Sequence, residues 1–187
     1  MAVLHDIDPK NVTGKTNDLF VALEHALGRV PKMIRLMAHS PTVLEAYLHF
    51  NHALEQSTLS AKTRALITVA VAEANGCDYT LSLGMALGKR QGVADVDLEA
   101  ARSGRADDAR TAEILQFATS IVRRAGQVPP TEVEHLWRHG LTDGEVVDVI
   151  AAVVLNVFRD YFNLVAGTDI DSPVVRTAAS AELIERA

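Results

Sequence analysis

Apolar residues recur along this chain at the three- and four-residue spacings of one α-helical face, almost from end to end. Over 17–28 (NDLFVALEHALG), Leu19, Phe20, Leu23, Ala26 and Leu27 fall on one stripe. Val30-Pro31 then breaks and restarts the chain. Ser40-Pro41 repeats the device, with Ser40 as N-cap and Pro41 at the first helical position. The spacing predicts a helix from Thr42 to Gln56 with Val43, Leu44, Tyr47, Leu48 and Phe50 facing inward. Ser60 caps a helix over Ala61 to Ala74, which Asn75-Gly76 ends because both residues tolerate the left-handed conformation. Cys77 follows at once and opens a helix reaching Lys89. Ala106 to Ala125 is another, with Ile114, Leu115, Phe117, Ala118, Ile121 and Val122 as its apolar face. Thr131 and Glu134 have capping-box spacing, and Gly140-Leu141 closes that short helix in the Schellman manner. Thr142 and Glu145 form a second capping box that opens the longest element, Asp143 to Val165. No segment sustains strand period, so the expected strand content is near zero.

The linkers are short, and Ser103 to Asp108 is the most loop-like. It divides the chain near its middle, and each half ends in a strongly apolar helix. The expected architecture is all-α: a single domain over 1–187, a helical bundle of two related halves. The Ala- and Val-rich helices carry more apolar surface than a small monomer can hide, so homo-oligomerisation is expected.

Composition narrows the function classes. Of 187 residues 48% are hydrophobic and 22% charged, which excludes a disordered polymer. With 18 Lys+Arg against 24 Asp+Glu the net charge is −6, and no basic stripe with interleaved aromatics occurs, so nucleic acid is not an expected partner. The segment Met1 to Asp6 has an early acid and no apolar run, and is not read as a signal peptide. No stretch long enough to span a bilayer is free of charge; Val146 to Phe158 comes closest, interrupted by Asp148. A soluble, cytoplasmic protein with no membrane partner is expected. The only cysteine is Cys77, which excludes an internal disulfide framework and any cysteine-cluster metal site.

Val69 to Gly88 reads VAVAEANGCDYTLSLGMALG, followed by Lys89-Arg90-Gln91-Gly92. This resembles the signature of the alkylhydroperoxidase D-like and carboxymuconolactone decarboxylase superfamily. Val30-Pro31, Leu36 to Pro41 and Leu44 to Tyr47 resemble its N-terminal region. Asp160 to Asn163, Val165 to Thr168 and Ile170-Asp171 resemble its C-terminal helix. The resemblance spans most of residues 30–173. It implies an all-helical fold assembled into dimers, trimers or hexamers.

In the redox members a dithiol on the first turn of a helix reduces a peroxide and closes to a disulfide, served by a glutamate and a histidine. The helix N-terminus stabilises the thiolate and the base keeps it deprotonated. Mapped onto this chain, Cys77 holds the first cysteine's place, but Thr80 holds the second's, Gly84 the histidine's and Ala65 the glutamate's. Leu164 stands where many relatives have a further histidine. A disulfide cycle within the motif is therefore impossible, and the family's proton relay is missing. The replacements are smaller, less acidic or more apolar within a kept frame, which points to redirection rather than drift. They are expected to leave a roomier, drier pocket lined by Ala65, Thr80, Leu83, Gly84, Met85 and Leu164.

Each candidate has a plainer reading beside the functional one. Cys77 is the candidate for chemistry, as its helix N-terminus favours the thiolate while Asp78 opposes it; an inert buried thiol is the alternative. Thr80 is read as a partner for the sulfur or as bonded to the preceding turn. Glu73 and Tyr79 flank the signature, as ligand groups or as a solvated Glu and a packed Tyr. His49 with His52, and His135 with His139, have helical spacing without an evident third ligand, so no metal and no cofactor are expected. Trp137 reads as an interface or core anchor. Arg64, Arg159 and Asp160 border the expected pocket; an arginine there would grip a carboxylate-bearing substrate, or form an exposed ion pair. Glu182 to Ala187 reads as a polar tail. Two functions remain open. One is an enzyme with a remodelled pocket for a small organic molecule, of lyase, isomerase or decarboxylase type, or a weak one-cysteine peroxidase. The other is a non-catalytic oligomeric ligand-binding or scaffold protein.

Overall fold

A computed structural model describes residues 3–186, apart from the side chain of Leu27; the expectations for Met1, Ala2, Ala187 and that side chain lie outside the described residues. After a 3-10 turn at Pro9–Asn11 come α1 (Gly14–Leu27), α2 (Lys32–Met37), α3 (Pro41–Glu55) and α4 (Ala61–Asn75). Then follow α5 (Asp78–Arg90), α6 (Asp95–Arg102) and α7 (Ala109–Arg123). The last are α8 (Pro130–Arg138), α9 (Asp143–Ala166) and α10 (Ala178–Glu185). The described residues contain no strand.

The bundle is built around α4. Val69, Ala70, Val71 and Ala72 are consecutive and all fully buried, which a helix achieves only when surrounded. α5, α6, α7 and α9 pack around it, and its small side chains let them approach. The Ser60 hydroxyl accepts the Thr63 N–H at 3.0 Å to start the helix. At its end Gly76 takes φ +69° and the Cys77 N–H reaches the Ala72 carbonyl at 3.0 Å. That Schellman reversal turns the chain straight into α5 with Cys77 as its N-cap residue. α9 opens on the expected capping box of Thr142 and Glu145. Its length and composition would suffice to cross a membrane, and half of its most apolar window is packed inside the domain.

Several local expectations are corrected. The capping box expected at Thr131 and Glu134 is absent, because α8 already begins at Pro130, whose fixed φ suits the first helical position and leaves Thr131 inside the helix. The helix expected from Ala106 starts at Ala109, where Asp108 accepts the Thr111 N–H at 2.8 Å. Val43 and Phe50 face outward rather than inward, at 41% and 38% exposure. They lie on the rim of the α3 face that packs on α9, and no element among the described residues covers that rim. Trp137 is half exposed, its Nε1 donating to Asp143 at 2.9 Å. The terminal segment read as a tail carries α10, nucleated by the Thr177 hydroxyl accepting the Ser180 N–H.

The outer face of α9 carries Val147, Ile150, Val154, Phe158, Tyr161 and Val165 at successive three- and four-residue spacings, all exposed. With Val43 and Phe50 they form a continuous apolar strip along the domain.

Candidate active site around Cys77

Cys77 sits where α4 reverses into α5, 1% exposed, with its Sγ donating to the Thr80 hydroxyl at 3.4 Å. The second polar wall comes from α9. Asp160 is fully buried there, and one carboxyl oxygen accepts from Asn75 Nδ2 at 2.7 Å. Its Oδ1 has no hydrogen-bond partner among the described residues. One turn on, Asn163 Nδ2 donates to the Arg159 carbonyl at 2.9 Å and to the Thr80 hydroxyl at 3.5 Å. A thiol, a hydroxyl, a carboxyl and two carboxamides thus converge from α4, α5 and α9.

The electrostatics of this cluster differ from the sequence expectation. Burial and then the charge of Asp160 push the Cys77 thiol up from 9.0 to about 11, against the opposing pull of the Thr80 hydroxyl and N–H. The helix N-terminus does not prevail, because removing the sulfur from water penalises its anion more than the nearby amides repay. Asp78, expected to oppose the thiolate, faces away. Its carboxylate takes the Thr177 N–H and hydroxyl at 2.8 and 3.0 Å and Arg176 at 2.8 Å. Burial works to raise Asp78, yet those donors hold it below the usual range. The carboxyl that matters to the sulfur is Asp160. Burial raises it from 3.8 to about 6, with the Asn75 hydrogen bond opposing. Burial and the facing carboxyl thus favour the protonated thiol over its thiolate.

The residues expected to line one pocket are divided. Leu164 borders a cleft of about 530 Å³ with Cys77, Tyr79, Asn163, Asp169 and Arg176. Ala65 and Gly84 border a different hollow of about 180 Å³. Thr80 is fully buried between sulfur and Asn163, and Met85 lies in the core at 4% exposure. Leu83 packs partly buried against that core. The reason is helical phase: Thr80 and Gly84 share a face of α5, while Leu83 and Met85 stand about 100° to either side. The cleft beside the sulfur is mixed polar rather than dry and apolar.

Glu73 is not solvated; it accepts Arg102 Nε at 2.8 Å and the Ala178 N–H at 2.7 Å. Tyr79 is the expected packed tyrosine, 4% exposed with its oxygen accepting the Met33 N–H at 3.2 Å. His52 lies 3.4 Å from Glu55 and His135 3.9 Å from Glu113. Among the described residues no three His, Cys, Asp or Glu side chains form a metal-binding group. The partnership of Asp160 with Cys77 was missed by sequence reasoning. The signal was present: Asn156, Arg159, Asp160 and Asn163 form a polar stripe at helical spacing in an otherwise apolar helix.

Residues 41–115 match the model of the carboxymuconolactone decarboxylase family. No curated protein matches the chain in sequence. Among solved structures, the fold is shared with an uncharacterized peroxidase-related protein from Ralstonia eutropha JMP134, an alkylhydroperoxidase AhpD core. That likeness has a TM-score of 0.82 and 20% identity, over 91% of this chain and 92% of that one. A second peroxidase-related protein, from Silicibacter sp. TM1040, gives 0.78 and 22% over 95% and 92%. The debrominase Bmp8, in a cysteine-to-alanine variant bound to 2,3,4-tribromopyrrole, gives 0.74 and 15% over 100% and 97%. This chain thus carries a segment that matches the carboxymuconolactone decarboxylase family model and shares the all-helical fold of the alkylhydroperoxidase AhpD core.

Proposed function

We propose that the protein is a single-thiol enzyme in which Cys77 reacts with a small organic electrophile and Asp160 carries the proton. The observation that supports this reading is the fully buried carboxyl at the lone sulfur. Burying a carboxyl is costly, and among the described residues its one short hydrogen bond is from Asn75, so its position serves the sulfur better than the fold. The peroxidase-related neighbours, and a debrominase solved as a cysteine-to-alanine variant in complex with tribromopyrrole, suggest an electrophilic oxygen or halogen as the atom attacked.

The step balances as follows. The Cys77 proton passes to the Asp160 carboxylate as sulfur attacks the terminal oxygen of an organic hydroperoxide. The S–O bond forms, the O–O bond breaks, and the departing alkoxide takes the proton from Asp160. Sulfur is oxidised to the sulfenic acid and the hydroperoxide is reduced to the alcohol. A first external thiol displaces water to give a mixed disulfide, and a second releases Cys77 with formation of the external disulfide. An attacked halogen follows the same course, with the halide leaving in the resolving step. A small external thiol is required because the chain has no second cysteine. A cytoplasmic setting, where such thiols are abundant, belongs to this reading.

Incubation with tert-butyl hydroperoxide or tribromopyrrole and excess dithiothreitol tests the proposal. Thiol-dependent turnover is expected, with dimedone capture of oxidised Cys77 in the peroxide reaction. Consumption of neither probe above the Cys77→Ala level would overturn it. That outcome would favour a non-catalytic ligand-binding protein, a reading supported by the protonated resting thiol.

We further infer that a second copy of this chain covers the exposed strip of α9. From Val149 to Phe158 the helix has no charged residue, so two such strips related by a twofold axis bury no charge against each other. Leu164, near the end of the strip, also borders the Cys77 cleft, so the second copy would wall the site. The expected result is a wild-type dimer or larger in sedimentation velocity, and a folded monomer for Val154→Asp with Phe158→Asp. A monomeric wild type would contradict this.

A further inference from the structure

The hollow of about 180 Å³ between α3, α4, α5 and α9 has mixed walls, Leu54, Leu87, Ala152 and Leu155 alternating with Asn51, Glu55 and Gln91, and a cationic end at Arg159. Arg159 is only 9% exposed. Its Nε donates to the Tyr47 hydroxyl at 3.0 Å, Nη1 to the Asn156 carboxamide at 3.2 Å and Nη2 to that of Asn51 at 3.4 Å. The guanidinium also lies 5.8 Å from the Tyr47 ring centroid. Every one of these partners is neutral. A guanidinium has five N–H donors, so two remain without a partner among the described residues. Arg64, on the same hollow, donates to the Leu59 carbonyl and likewise forms no ion pair among the described residues.

Two carboxyls lie near. Asp160, next in the chain, is turned toward Asn75 and the Cys77 sulfur; it feels the Arg159 charge but forms no ion pair with it. Glu55 sits at the rim, engaged with Asn51 at 3.1 Å and His52 at 3.4 Å, and its hydrogen-bonded link to Arg159 runs through Asn51. A buried cation surrounded by neutral acceptors and open to a hollow is an incomplete arrangement, since burial of charge is offset best by an opposite charge. A carboxylate entering the hollow would supply that charge and take the two spare donors. The apolar part of the lining, Leu54, Leu87, Ala152 and Leu155, suits a hydrocarbon body behind it. Ala65 and Gly84 provide the room, and even a Cβ on Gly84 would come within 3.1 Å of Thr68.

We propose that this hollow binds a small organic carboxylate with an apolar body, its carboxylate on Arg159 and Arg64 beside it. The proposal does not rest on Cys77 chemistry, so binding and turnover succeed or fail separately. Calorimetric titration with benzoate, acetate and inorganic phosphate tests it. Saturable benzoate binding is expected, tighter than that of acetate or phosphate. Arg159→Gln removes the charged donors and Ala65→Leu fills the space, and each is expected to weaken benzoate binding by about tenfold or more. Should Arg159→Gln fail to fold, Ala65→Leu still decides. No saturable benzoate binding, tighter binding of phosphate, or unchanged binding in Ala65→Leu would overturn the proposal.

Discussion

Asp160→Asn is expected to lower peroxide turnover about 10²-fold or more while making the resting thiol easier to alkylate. A group that merely filled space would not move these readouts in opposite directions. The turnover loss follows from removing the base that accepts the Cys77 proton and returns it to the leaving oxygen. The gain in alkylation follows because the Asp160 charge helps hold the thiol up at about 11. With that charge removed, iodoacetamide should react about three- to tenfold faster at pH 8, as more of the sulfur is thiolate. Wild-type turnover should rise with pH through about 6, where Asp160 ionises, and Asp160→Asn should lose that limb. Stability has a definite sign as well. The folded carboxyl binds its proton more tightly than the unfolded one, so wild-type stability falls as pH rises from about 4 to about 6. Above that window Asp160→Asn should be the more stable protein, by on the order of 2 kcal/mol, and below it the difference should vanish.

Cys77→Ala is expected to reduce turnover to the uncatalysed level and to remove all dimedone labelling, with helicity unchanged. The loss should be complete because no other sulfur nucleophile of this type exists in the chain. The cost to the fold is small by comparison, about 1 kcal/mol for a buried thiol trimmed to a methyl group. Cys77→Ser should be equally inactive although its hydroxyl keeps a hydrogen bond to Thr80, since an alcohol this deeply buried does not ionise. Retention of turnover in either variant would move the chemistry away from the α4–α5 reversal.

The helices were legible because their signals are local. Gly76 and Gly167 end α4 and α9 in the left-handed conformation, and the Thr142 capping box forms as its spacing predicts. α6 went unseen because, of its eight residues, only Leu98 and Ala101 are buried, too little for a periodic stripe. α10 depends on Thr177, whose burial is created by Asp78 from far away in the chain. The site was legible on α5, where Cys77 and Thr80 meet as their spacing allows. It was not legible on α9. Asp160 and Arg159 were read as groups bordering a pocket, and only the packing of α9 on α4 and α5 distinguishes them. That packing aims Asp160 at the sulfur and leaves Arg159 beside the second hollow, with no ion pair among the described residues. The polar stripe from Asn156 to Asn163 was visible, but a sequence does not tell whether such a stripe faces water or a partner helix.

The central claim is that the Cys77 thiol and the Asp160 carboxyl form one proton-sharing unit. Its most direct test is the pH titration of thiolate ultraviolet absorbance in the wild type and in Asp160→Asn. A wild-type midpoint near 11 that falls clearly in the variant is the predicted result. An unshifted midpoint, or a wild-type thiolate already formed at neutral pH, would contradict it.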